Sequence, residues 1–187
     1  MGGPKQQLPW KDSNLLVHAV RQALQSEADL VLVVLGAQAS ALRNALDPKE
    51  VQVIENPHWQ KGMGTSVALA ARYLAEEQAE IEAMLFLLID QPLMNSKHLN
   101  KLINKYLLDK NKIVASRYQG ILGAPSLFGR PFFVQLQDLQ GDQGAKSILR
   151  RYPDAVIAVE CGDLCQDVDN RETYEALWRV HGRNGAE

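Results

Sequence analysis

The chain has 187 residues, 46% of them apolar and 22% charged, with a formal net charge of -2. That length suits one domain around a single core and is short for two. No basic block of the kind that neutralises a phosphate backbone is present, no apolar stretch approaches the ~20 residues that span a bilayer, and no segment reads as a signal peptide; nucleic acid and membrane are therefore excluded as expected partners, and the expected location is the cytoplasm.

Along the chain, apolar runs of strand length alternate with helical patterns. Residues 15–25 place Leu16, Ala19, Val20, Ala23 and Leu24 on one stripe, with Ser13 or Asn14 as the N-cap. An unbroken β-branched run follows at 30–35 (LVLVVL), then a helix over 37–46 that stops before Pro48, and a short strand at 51–54. The Ala-rich stretch 66–77 is strongly helical. Residues 84–89 (MLFLLI) form the next strand and end at Asp90-Gln91-Pro92, and a helix over 96–108, capped by Ser96, points Leu99, Leu102, Ile103 and Tyr106 inward. Further strands are expected at 113–116 and 155–159, and further helices at 142–152 and 172–180. Residues 120–129 (GILGAPSLFG) and 141–145 (GDQGA) read as glycine-bearing loops.

Continuous apolar runs indicate strands covered on both faces. The pattern predicts an α/β fold: a three-layer, Rossmann-like domain over residues 1–181, with helices on both faces of one mostly parallel sheet that includes the runs at 30, 51, 84 and 113. Residues 182–187 are expected to be a flexible tail. Cys161 and Cys165 are too few for a disulfide framework and lack a second ligand pair for zinc; they read as two unpaired thiols.

Ligands of open α/β sheets bind beyond the carboxyl ends of the strands, so the residues after each apolar run carry the functional reading. Asp90 emerges there, suited either to a hard cation held against phosphate oxygens or to a turn or helix cap. Asp167 and Asp169 flank Val168 in an extended stretch that turns both carboxylates to one side; one of them could complete a metal site with Asp90, or Asp169 or Asn170 could cap the last helix. Lys5, beside Gly2, Gly3 and Pro4, is a candidate phosphate partner. The segment Gly62-Met63-Gly64-Thr65-Ser66 offers backbone amides at a helix N-terminus. Trp10 and Trp59 lie near these loops, as pocket walls or as core.

Taken together, the segments MGGPKQQLPW, VLVVLG, NPHWQKGMGTS, LIDQPL, VASRY, GAPSLFGR, GDQGAK and DVDNRETY run in order over nearly the whole chain. In that order they resemble the molybdenum-cofactor cytidylyltransferase group of the glycosyltransferase-A-like nucleotidyltransferases. The Asp-Gln-Pro form at 90–92 is more similar to the cytidylyl than to the guanylyl branch. The resemblance implies transfer of CMP from CTP to molybdopterin with release of pyrophosphate, with GTP or another phosphorylated acceptor as alternatives. It implies that Lys5 contacts the triphosphate, that Gly62, Met63 and Ser66 line the base pocket, and that Asp90 and Asp169 hold Mg²⁺. Gly123, Pro125, Gly141 and Asp142 would border the acceptor, and a molybdoenzyme would be a possible partner.

Such proteins open with a strand and a Leu-Ala-Ala-Gly-x-Ser-x-Arg phosphate loop just before their Met-Gly, whereas this sequence starts at that Met. Two explanations compete: a start assigned to an internal Met, or a truncated, non-catalytic accessory protein that holds nucleotide or cofactor. Retention of Lys5, Asp90 and Asp169 favours the first. The expected consequence is a less stable and less active chain, with either a strand borrowed from another molecule or a gap in the sheet.

Overall fold

The computed structural model describes residues 4–182. A short antiparallel pair, β1 (Pro9–Trp10) and β2 (Ser13–Asn14), leads into helix α1 (Leu15–Leu24). Of the two cap candidates it is Asn14 whose side chain accepts from the Val17 amide, satisfying one of the helix's free donors. Strand β3 (Leu32–Leu35) pairs in parallel with β4 (Gln52–Glu55), and the short helix α2 (Ala39–Arg43) lies between them in sequence. Helix α3 spans Met63–Glu77 and β5 spans Ala83–Phe86. Helix α4 (Ser96–Leu108) is capped by Asn95 rather than Ser96: the Asn95 side chain accepts from the His98 amide.

The hairpin β6 (Ile113–Tyr118) and β7 (Ile121–Gly129) turns on Gln119 and Gly120, both at positive φ, as a two-residue hairpin turn requires. Helices α5 (Phe133–Gln137) and α6 (Lys146–Arg151), strand β8 (Val156–Glu160) and helix α7 (Arg171–Leu177) complete the chain.

One sheet was expected; two principal ones are present. The larger has the order β5-β7-β6-β8, and β3-β4 stands apart, hydrogen-bonded to neither edge of it. The larger sheet is mixed, not mostly parallel, because β7 runs antiparallel to both β5 and β6 while β8 is parallel to β6. The stretch 120–129, read as a loop, is thus a central strand.

Period-two alternation builds the layers. Ile113 and Ala115 face one side with Met84 and Phe128, against Ala70, Ala71 and Leu74 of α3 and Ile148 of α6. Val114 and Leu127 face the other side, against Leu102 and Tyr106 of α4. Each large aliphatic side chain so removed from water contributes about 1.5–3 kcal/mol. Between β3 and β5 lies a cavity of about 1010 Å³, lined by the full apolar runs of both strands, including Leu32, Val34, Leu85 and Leu87.

Gly182 is not part of a tail: it is buried on the Trp178 ring, and its carbonyl accepts from the Lys11 amide. The rest of the expected tail lies outside the described residues. Cys161 and Cys165 are joined in a disulfide, correcting the reading of two free thiols. Among the described residues, no helix is long and apolar enough to cross a membrane.

Candidate active site

Three segments far apart in sequence meet beyond the carboxyl end of β5. The Lys5 ammonium lies 3.3 Å from Asp169 Oδ1 and 3.6 Å from Asp90 Oδ2, so one cation joins both predicted acids. The Asp90 carbonyl accepts from the Val168 amide at 2.7 Å, and Val168 is fully buried. That single backbone bond, anchored by an apolar side chain, sets the Asp167–Asp169 stretch beside Asp90. Asn170, not Asp169, caps α7 by accepting from the Thr173 amide, which leaves the Asp169 carboxylate to Lys5.

Burial pushes the Asp90 carboxyl above the usual carboxylate range, the neighbouring Asp167 adds to this, and Lys5 opposes it. Three carboxylates against one ammonium form a locally underneutralised cluster of hard oxygen donors. Among the described residues, the ligand atoms of Asp90, Asp167 and Asp169 do not all lie within 4.8 Å of one another, and it is Lys5 that joins Asp90 to Asp169.

The expected base-pocket and acceptor residues are brought together in part. Gly62 has φ +106 and packs directly on the Gly141 backbone and the Asp142 side chain, and the Gly64 amide donates to the Gly141 carbonyl at 2.8 Å. The two loops thus pack against each other as one wall. The Gly64 and Thr65 amides are already engaged there, the latter by the Gly62 carbonyl. Met63, Ser66, Asp142 and Gly123 line the cavity that separates the two sheets. Pro125 is fully buried in a cis peptide with Ala124, and its carbonyl accepts from Ser116 Oγ. Trp10 is fully buried core, whereas Trp59 is largely exposed and lies over Gly36.

Gln91 was not anticipated as a site residue. Its Nε2 donates to Asp167 Oδ1 at 2.9 Å and to the Ala124 carbonyl at 3.2 Å, tying the acidic stretch to the 123–125 segment. Among the described residues its buried Oε1 has no partner, and the residue lines the same cavity. The signals for it were its position directly after a strand-end Asp and its place in the Asp-Gln-Pro form.

The mixed sheet with helices on both faces is a nucleotidyltransferase-like α/β fold. Residues 1–156 match the MobA-like NTP transferase domain, and the chain belongs to that family. It is 28% identical to the purine catabolism protein PucB of Bacillus subtilis, covering 96% of this chain and 90% of the relative. It is also 28% identical to nicotine blue oxidoreductase of Paenarthrobacter nicotinovorans, covering 95% and 88%. The crystal structure of Rv0371c from Mycobacterium tuberculosis in complex with manganese superposes with a TM-score of 0.77 at 28% identity, covering 96% of this chain and 94% of that one.

Proposed function

We propose that this nucleotidyltransferase moves CMP from CTP onto the phosphate of a molybdopterin-type acceptor and releases pyrophosphate. The observation that carries the reading is the Lys5 ammonium held between Asp90 and Asp169 at the sheet's carboxyl edge. An acceptor phosphate oxygen attacks the α-phosphorus in line; the new P–O bond forms as the bond to the β-phosphate oxygen breaks. This chemistry depends on positioning and charge neutralisation, not on a protein nucleophile. Lys5 neutralises charge on the triphosphate and stabilises the departing pyrophosphate. Asp90 and Asp169, with Asp167 beside them, would hold Mg²⁺, which supplies Lewis-acid polarisation and a template for the phosphates. That a similar structure contains manganese supports a divalent cation.

On this reading Met63 and Ser66 face the base, and Gly123 and Asp142 border the acceptor; all four line the cavity. The preference for CTP over GTP rests on Asp90-Gln91-Pro92. The reaction belongs to the cytoplasm, and its product suits delivery to a molybdoenzyme. Incubation with α-labelled CTP, GTP or ATP, Mg²⁺ or Mn²⁺, and molybdopterin tests it. The expected result is a labelled dinucleotide and pyrophosphate, most with CTP. Equal incorporation from GTP would remove the base assignment, and no pyrophosphate with any nucleotide would remove the reaction.

The open cavity between β3 and β5 favours a second reading: an accessory protein that binds nucleotide or cofactor without turnover. Saturable thermal stabilisation by CTP with no pyrophosphate release is its signature.

A further inference from the structure

On the far side of the acidic stretch, His98, Cys161 and Cys165 converge at the first turn of α4, the end of β8 and the following 3-10 turn (Gly162–Cys165). A ring nitrogen of His98 and both sulfurs lie within 4.8 Å of one another. The three residues are 1%, 5% and 6% exposed, packed among Met94, Leu99 and Leu164.

The hydrogen bonds around His98 set its proton. Ser116 Oγ lies 2.8 Å from the Pro125 carbonyl, which can only accept, so the single hydroxyl hydrogen points there. The 2.9 Å contact between His98 Nε2 and Ser116 Oγ must then run the other way, with Nε2–H donating. With Nε2–H committed to Ser116, the lone pair of the neutral tautomer sits on Nδ1. An imidazole whose far N–H is tied to a fixed acceptor is the arrangement that orients a metal-ligating histidine.

We propose that His98, Cys161 and Cys165 form a second site, distinct from the acidic one, that binds Zn²⁺ when the disulfide is open. Opening takes two electrons and two protons from a dithiol reductant, which becomes the new disulfide. Binding then displaces the two thiol protons and forms two sulfur–metal bonds and one nitrogen–metal bond. Two thiolates cancel the charge of a dication, which suits a pocket with apolar walls. Thiolate and imidazole together select zinc over the hard cations that suit Asp90.

Cobalt(II) is the probe, since its thiolate charge-transfer band reports sulfur ligation directly. The full chain is reduced with dithiothreitol, desalted without oxygen, titrated with cobalt and then displaced with zinc. The expected result is a saturable near-ultraviolet charge-transfer band that zinc abolishes. His98→Ala, Cys161→Ser and Cys165→Ser should each lose it while keeping the far-ultraviolet circular dichroism of the parent. The near-isosteric serine variants carry the test if the histidine variant unfolds. Asp90→Asn should keep the band, which separates this site from the acidic one. Ser116→Ala should weaken cobalt binding by roughly 10–100-fold. The proposal is overturned if no band appears, if the band survives loss of His98 or of either cysteine, or if reduction under native conditions exposes no thiols.

Discussion

The two sheets are built from equally apolar runs and end in different environments. In the larger sheet Ile113, Val114 and Ala115 are fully buried, flanked by β7 on one edge and β8 on the other. In the smaller one Leu32 and Val34 of β3 stay half-buried beside the cavity, and so do Leu85 and Phe86 on the facing edge of β5. Apolar composition determines what a strand seeks; a neighbour on each edge determines whether it is satisfied. The chemistry is divided along the same line. Lys5, Asp90 and Asp169 are held on the closed side by backbone bonds and the buried Val168, while Gln91, reaching into the open side, keeps an orphaned acceptor.

The largest expected effect belongs to the closed side. Asp90→Asn should lower nucleotidyl transfer by at least roughly 100-fold, the scale of losing a charge partner in a phosphoryl-transfer site. It should not cost folding stability in metal-free buffer. The reason is the sign of the shift: a carboxyl whose proton affinity rises on folding opposes folding once ionised, and that penalty is present at neutral pH and relieved as pH falls. Steady-state rates beside melting temperatures check both halves. A variant that is inactive and also strongly destabilised would make Asp90 structural.

Next comes the open side. An apolar strand fused ahead of the chain through a glycine-rich loop should fill the space between β3 and β5. Burying even one or two more aliphatic side chains is worth about 1.5–6 kcal/mol, or roughly 3–24 °C in melting temperature for a domain of this size. CTP affinity should rise with it. Equal melting temperatures and equal CTP binding for the two lengths would mean that the cavity is a finished feature of the fold, and would favour the accessory reading.

A smaller effect tests whether the wall between the two regions is rigid. A methyl at Gly62 would sit 2.3 Å from the Gly141 carbonyl carbon, on a backbone with φ +106. Gly62→Ala should cost about 1–3 kcal/mol. The denaturant midpoint should fall, and CTP binding should weaken as the 62 and 141 loops separate. An unchanged midpoint would show that the two loops move independently.

Most elements were legible in the sequence, and the exceptions share a cause. β7 was hidden because its Gly123, Pro125 and Ser126 are poor strand formers; they are tolerated since the segment is clamped between β5 and β6 and bulges where β6 passes from Ala115 to Ser116. Missing one antiparallel strand changed the sheet from mixed to parallel in expectation. Asp90 stood out because a polar residue after an apolar run has few places to go, Lys5 by its place beside Gly2, Gly3 and Pro4, and Asp169 by the Asp-Val-Asp alternation; the structure brings all three together. The role of Gln91 and the Cys161–Cys165 bond were not, since both depend on what tertiary packing sets beside them.

The smallest effect separates positioning from stability. Asn95 and Asn170 do the same local job, each accepting from the amide three residues on at the start of a helix. Replacing either with alanine leaves a helix donor unsatisfied and should cost about 1 kcal/mol. Their neighbours differ. Asn170 directly follows Asp169, whose carboxylate is largely exposed and, among the described residues, is held by Lys5 alone, so a frayed first turn of α7 frees the acid to wander. Asn95 precedes α4, whose buried His98, Leu99 and Leu102 hold the helix in place whatever its cap does. Equal losses in melting temperature should therefore accompany unequal losses in rate: Asn170→Ala slows transfer several-fold and raises the metal concentration needed for half-maximal rate, while Asn95→Ala leaves both unchanged. Parallel loss of activity in the two variants would mean that the acidic edge responds only to global stability, and that Asp169 needs no local anchor.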